Sequence, residues 1–107
     1  MKFDHVAIVS NNIKASIDWY VNEWNAKTLY HDDTWGLIEL NETKIAFVTP
    51  SQHPAHICFE VDDQFIMKHL KDKTFKAHRD GSTSCYIRDP DGNFIEFLYW
   101  PDNKEEE

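Results

Sequence analysis

Basic side chains are in short supply. Lys and Arg number 11 against 19 Asp and Glu, for a formal charge of -8. Neutralising phosphates needs clustered Lys and Arg, so the balance argues against a nucleic-acid partner and against an anionic membrane surface. Cysteine is scarcer still. Cys58 and Cys85 are the two present, and their spacing is neither that of a zinc knuckle nor of a redox CxxC pair. Both are read as reduced thiols of a cytoplasmic protein. No apolar run approaches the roughly 20 residues that span a bilayer, so no membrane segment is expected. Met1-Lys2-Phe3-Asp4-His5 enters a strand-like stretch at once, and no signal peptide is expected before the fold.

What the chain does have is core-forming material. Of its 107 residues, 41% are hydrophobic and 14% aromatic, enough for one ordinary domain over residues 1–101. The last six residues, 102–107, read as an acidic, disordered tail.

A repeat organises this domain. Phe3 to Val9 reads as a strand, and Asn11-Asn12 offers helix caps. Ile13, Ile17, Tyr20, Val21 and Trp24 then recur at steps of three and four, the mark of an amphipathic helix. Strands follow at Lys27 to His31, Trp35 to Leu40 and Lys44 to Thr49, with a turn at Asn41-Glu42-Thr43. After a linker from Pro50 to Pro54 the pattern restarts. Ala55 to Val61 is a strand, Asp62-Asp63 supplies caps, and Phe65, Ile66, His69 and Leu70 give a helical face. Three more strands are predicted at Thr74 to His78, Ser84 to Arg88 and Asn93 to Trp100. Asp89-Pro90-Asp91-Gly92 is strong turn chemistry, because Pro fixes φ and Gly accepts positive φ. The fold class is α+β, built from two βαβββ modules at residues 1–50 and 54–101.

Laying one module on the other locates the chemistry. Asp4-His5-Val6 lies over Ala55-His56-Ile57, and Ile45-Ala46-Phe47 lies over Ile95-Glu96-Phe97. His5 and His56 are thus repeat-equivalent, and so are Ala46 and Glu96. Strand alternation puts His5 with Phe3, Ala7 and Val9, and Glu96 with Phe94, Leu98 and Trp100. A carboxylate on an apolar strand needs a counter-charge or a metal. Two imidazoles and a carboxylate make a facial triad with open positions. The plainer alternatives are hydrogen-bonded strand histidines and a Glu96 paired with Arg88 or Lys44. His31, His53, His69 and His78 have no repeat partners and are read as surface or structural residues. Trp19, Tyr20 and Trp24 are read as core or dimer surface, and Cys58 as a small packing residue beside His56.

Phe3-Asp4-His5-Val6-Ala7-Ile8, Ser16-Ile17-Asp18-Trp19-Tyr20, Ala55-His56-Ile57-Cys58-Phe59 and Asp89-Pro90-Asp91-Gly92-Asn93-Phe94-Ile95-Glu96-Phe97 together resemble the vicinal oxygen chelate superfamily. That group holds glyoxalase I, methylmalonyl-CoA epimerase, extradiol dioxygenases, fosfomycin-resistance transferases and bleomycin-binding proteins. The resemblance covers residues 2 to 100. It implies a curved, cup-shaped mixed sheet with helices on its outer face. It also implies one divalent metal (Fe, Mn, Ni, Co or Zn) on His5, His56 and Glu96, chelating two oxygens of a small-molecule substrate. A homodimer with a shared cup is a further implication, with His5 of one chain meeting His56 and Glu96 of the other.

The departures from the pattern matter as much. Glyoxalase I and the epimerases use four ligands, and here the fourth place is Ala46, which neither ligates nor accepts a proton. A His, His, Glu set is instead what the fosfomycin-resistance thiol transferases and the dioxygenases use. Against the transferases, Ala7 replaces a hydroxyl residue, and the arginine-bearing C-terminal extension is missing. The reading is a metal-dependent enzyme (lyase, isomerase, dioxygenase or transferase) acting on a small oxygenated metabolite. An antibiotic-resistance thiol transferase and a metal-free, bleomycin-type binding protein are the alternatives. Glu39 and Tyr86 are the candidate catalytic residues, and Arg88 and Lys76 the candidate substrate contacts. A Glu39–Arg88 ion pair, solvent exposure, and a plain core-edge role for Tyr86 stay open beside these.

Overall fold

In the computed structural model, residues 1–101 are described. The expected acidic tail at 102–107 lies outside them. The class is α+β, a mixed sheet of eight strands with helical segments between them. The described chain divides into two compact units: His5 to Ile57, and Met1 to Asp4 with Cys58 onward.

The first of these holds most of β1 (Lys2–Val9), then α1 (Ile13–Trp24), β2 (Lys27–His31), β3 (Trp35–Leu40) and β4 (Thr43–Val48). Its strands lie in the order β2-β3-β4-β1. β1 and β4 are parallel, with Ala7 opposite Ala46, while the other pairs are antiparallel. The helix starts where Asn12 caps it, its side chain accepting from the Ala15 amide at 3.1 Å. It stops at Asn25, which takes the left-handed conformation at φ 58°. Ile13 and Ile17 bury the inner face of α1 against Ile38 and Phe47 of the sheet. The helix sits low on β3 because Gly36 has no side chain there. A Cβ at Gly36 would meet Ile17 Cδ1 at 2.6 Å and Ile13 Cγ2 at 2.9 Å.

β3 and β4 are joined by a two-residue turn, tighter than the three residues expected. Asn41 and Glu42 both have positive φ, 54° and 70°, the geometry that matches strand twist in a hairpin. This turn fixes the register, and alternation then sorts the faces. Ile38, Ile45 and Phe47 face the helix. Ala7, Ala46 and Val48 lie on the other face, packed by Trp35 and Leu37.

The second unit takes up β5 (His56–Glu60) from Cys58, and the strand leads into a short α-helical turn, α2 (Asp63–Phe65), which continues as a π-helix at Ile66–Leu70. The expectation here was an ordinary helix with its face at Phe65, Ile66, His69 and Leu70. The wider π turn aims Leu70 at the core with Phe65 and Ile66. β6 is Lys76–Ala77, a two-residue pairing rather than the expected Thr74 to His78. β7 (Thr83–Arg88) and β8 (Phe94–Tyr99) complete the order β5-β8-β7-β6. The Asp89–Asn93 turn closes on the Asp89 carboxylate, which accepts from the amides of Asp91 at 2.9 Å and Asn93 at 2.8 Å. Gly92 supplies the positive φ of 88°.

Candidate metal centre

His5 and His56 come together within the first unit. Their rings meet edge to face with centroids 5.5 Å apart. His56 is buried, and its Nδ1 lies 2.9 Å from the carbonyl oxygen of Pro54. A carbonyl only accepts, so Nδ1 carries the proton and Nε2 keeps its lone pair. This is how ligating histidines are held in one tautomer. The resemblance implied that His5 of one chain meets His56 of another; in this structure the two histidines of a single chain already meet.

Ala46, the repeat counterpart of Glu96, is buried on the same face as Ala7 and packs with Val48, Trp35 and Leu37. An apolar patch thus stands where a fourth ligand would be. Glu39 shares that face with Leu37 by alternation. Its cross-strand partners are Lys27 and Lys44. Lysines therefore stand opposite Glu39 on both neighbouring strands.

Glu96 belongs to the second unit, on β8, and is 8% exposed. Tyr86 is its directly opposed partner on β7. The Cys58 thiol hydrogen-bonds the Glu96 carboxylate. Burial, then the charge of Glu96, raises the pKa of both the Cys58 thiol and the Tyr86 phenol well above the ordinary values. Both therefore remain protonated at neutral pH and offer hydrogen atoms to an acceptor. Arg88 lies over the Phe94 ring, 4.5 Å from its centroid, so part of its charge is spent on a cation–π contact. Lys76 is exposed on β6, opposite Ser84.

His78, expected as a surface or structural residue, is exposed and places Nε2 2.7 Å from the buried Ser84 hydroxyl. Sequence signals for it are weak, because the contact depends on the β6–β7 pairing and the turn at Gly81.

The family model described as Glyoxalase/Bleomycin resistance protein/Dioxygenase superfamily matches residues 2–97. The chain belongs to that superfamily. Among solved structures it is similar to a superfamily member from Vibrio splendidus, at 13% identity and a TM-score of 0.68, covering 92% of this chain and 99% of that one. It is also similar to a Streptomyces coelicolor methylmalonyl-CoA epimerase in complex with 2-nitronate-propionyl-CoA, at 12% identity and a TM-score of 0.71, covering 94% and 98%. A hypothetical protein from Bacillus halodurans aligns at 18% identity and a TM-score of 0.68, covering 92% and 93%. Likeness at these identities establishes the fold. No protein of curated function matches the chain. Among the described residues, no helix is long and apolar enough to cross a membrane.

Proposed function

We propose that the chain is a metal-dependent enzyme acting on a small oxygenated metabolite, with His5, His56 and Glu96 holding one divalent ion. The observation that carries this reading is the Nδ1–Pro54 bond of buried His56, which prepares Nε2 as a ligand nitrogen beside a second imidazole. The three residues offer two ring nitrogens and a carboxylate oxygen, a donor set that suits Fe, Mn, Ni, Co or Zn. When bound, the ion would supply Lewis acidity toward a pair of substrate oxygens.

The chain's own groups divide the remaining work. Tyr86, held protonated, donates a hydrogen bond to a ligand oxygen next to Glu96. Arg88 and Lys76 supply positive charge for an anionic substrate group. Glu39, between Lys27 and Lys44, is the candidate proton acceptor; this role stands or falls with Glu39→Gln, which would lower turnover without releasing metal. Ala46 removes the fourth ligand and favours a more open coordination sphere over ordinary four-ligand glyoxalase or epimerase chemistry.

The deciding experiment is metal analysis of protein purified without chelators, followed by titration of the stripped protein. About one ion per chain, lost in His56→Ala, is the expected result. A protein that binds no ion would instead be a metal-free small-molecule binder. A panel of lyase, dioxygenase and thiol-transfer assays on the loaded protein then separates the reaction types. The same preparation, run through sizing, tests a homodimer.

A further inference from the structure

We propose that Cys58 is a positioning residue of the metal site: its thiol donates to the Glu96 carboxylate and engages one oxygen, so that the other is presented to the ion. The proposal rests on the metal reading above, since Glu96 is a ligand only under that reading.

The repeat places the two side chains together. The Val61 amide donates to the Leu98 carbonyl at 2.9 Å, as the Ser10 amide does to the Val48 carbonyl at 2.8 Å in the first module. In that first module the register runs from Val9 opposite Val48 to Ala7 opposite Ala46. β5 and β8 are neighbours in the sheet, as β1 and β4 are. Counting back equally from Val61 and Leu98, Cys58 and Glu96 occupy the places of Ala7 and Ala46. The first module fills this cross-strand pair with two methyl groups. The second fills it with a hydrogen-bond donor and an acceptor, and the bond between them forms.

Burial gives that bond its weight. Cys58 is 0% exposed and Glu96 8%. A carboxylate so enclosed requires partners for its oxygens, and water cannot supply them all. A carboxylate accepts only from a protonated thiol. Glu60 and Asp4, whose carboxylate oxygen lies within 4.8 Å of the Cys58 sulfur, surround the thiol with further negative charge and keep the proton on it. Cys58 is thus a neutral donor to a ligand. A partner bonded to one end of a ligating group fixes the orientation of the other end. Glu96 held in this way offers a single oxygen, which leaves more positions open for a chelating substrate.

The test measures zinc affinity of stripped, full-length protein by competition with a chromogenic chelator, in wild type, Cys58→Ser and Cys58→Ala. Serine and alanine remove the same sulfur and fill nearly the same volume, so a packing defect weakens both alike, whereas serine alone can donate. Cys58→Ala is expected to bind zinc about 10- to 100-fold more weakly, and Cys58→Ser to recover most of that loss. Wild-type affinity in Cys58→Ala, or a serine variant no better than the alanine one, would overturn the role. An infrared difference spectrum of wild type, zinc-loaded minus stripped, needs no substitution at position 58 and decides the matter should either variant fold poorly. Cys85 packs with Val61, Leu70 and Phe97 on the other face of the sheet, so its S–H band cancels. The Cys58 S–H band is expected to persist and to move as its acceptor shares charge with the ion. A band that zinc does not move overturns the proposal, and so does a band that zinc abolishes, which would make Cys58 a thiolate ligand. Wild type that takes up no zinc overturns the metal reading, and the positioning role with it.

Discussion

His56 Nδ1 stands 2.9 Å from the carbonyl oxygen of Pro54, two residues back along the chain. The contact fixes one tautomer of a buried imidazole before any ligand arrives. His56→Ala is therefore expected to abolish metal binding, lowering affinity by more than about 100-fold, while His53→Ala leaves it unchanged. Isothermal titration with zinc on both variants measures the contrast; equal affinities would remove His56 from the metal set.

Gly36 makes a second expectation sharp. A methyl group there meets Ile17 and Ile13 side-chain atoms at 2.6 and 2.9 Å, both packed in the core beneath α1. Something must give there, either the two isoleucine side chains or α1 itself. Gly36→Ala should cost about 1–3 kcal/mol, as overpacking does. Ile38→Ala, which opens a cavity at a residue 0% exposed, should cost about 2–5 kcal/mol. Urea titration of the two variants checks both values, with unchanged slopes.

Much of this architecture was legible because it is local. The helix at Ile13–Trp24 follows from its apolar spacing and the Asn12 cap, and its observed ends match the expected ones. The Asp89–Gly92 turn follows from Pro and Gly chemistry. What was not legible depends on pairing between distant segments. β6 shrinks to Lys76–Ala77 because Thr74 to His78 is largely exposed and offers no alternating apolar face to bury. The π-helix at Ile66–Leu70 carries the same apolar residues that an α-helix would, so periodicity could not distinguish them. Glu39 could be placed on a face by alternation, but its partner Lys44 followed only from the tight Asn41-Glu42 turn, and Lys27 only from the β2–β3 pairing. On the candidate site, His5, His56 and Glu96 were marked by the repeat.

The acidic turns set the response to low pH. Asp32 accepts from the Tyr30 hydroxyl at 2.6 Å and from the Thr34 amide and hydroxyl, each at 2.8 Å, which hold its carboxyl well below the usual range. Hydrogen bonds from Asn93 lower Asp89 in the same direction. A carboxyl whose native pKa lies below its unfolded value binds fewer protons folded than unfolded. Its contribution is complete above the ordinary value of 3.8 and disappears as the pH falls below that toward the native value. Melting temperature should therefore decline steeply below about pH 4, and Asp32→Ala should flatten that decline while lowering the plateau near neutrality. A variant with the same acid slope as wild type would show that Asp32 does not contribute to it.

Ala46 tests the open coordination place directly. It is 4% exposed, shares its face with Ala7 and lies among Val48, Trp35 and Leu37. Ala46→Glu puts a carboxylate into that apolar patch. In stripped protein the charge is desolvated without a metal to meet it, and the cost should be several kcal/mol, or about 10 °C or more in melting temperature for a domain of this size. Added zinc or manganese should recover most of the loss, and should raise the variant's melting temperature by more than it raises that of wild type, because the ion now meets a fourth ligand as well. Thermal melts of both proteins with and without metal supply the comparison. If the metal-induced rise is no larger in the variant, position 46 does not reach the ion, and the repeat correspondence between Ala46 and Glu96 has no counterpart in the chemistry of the site.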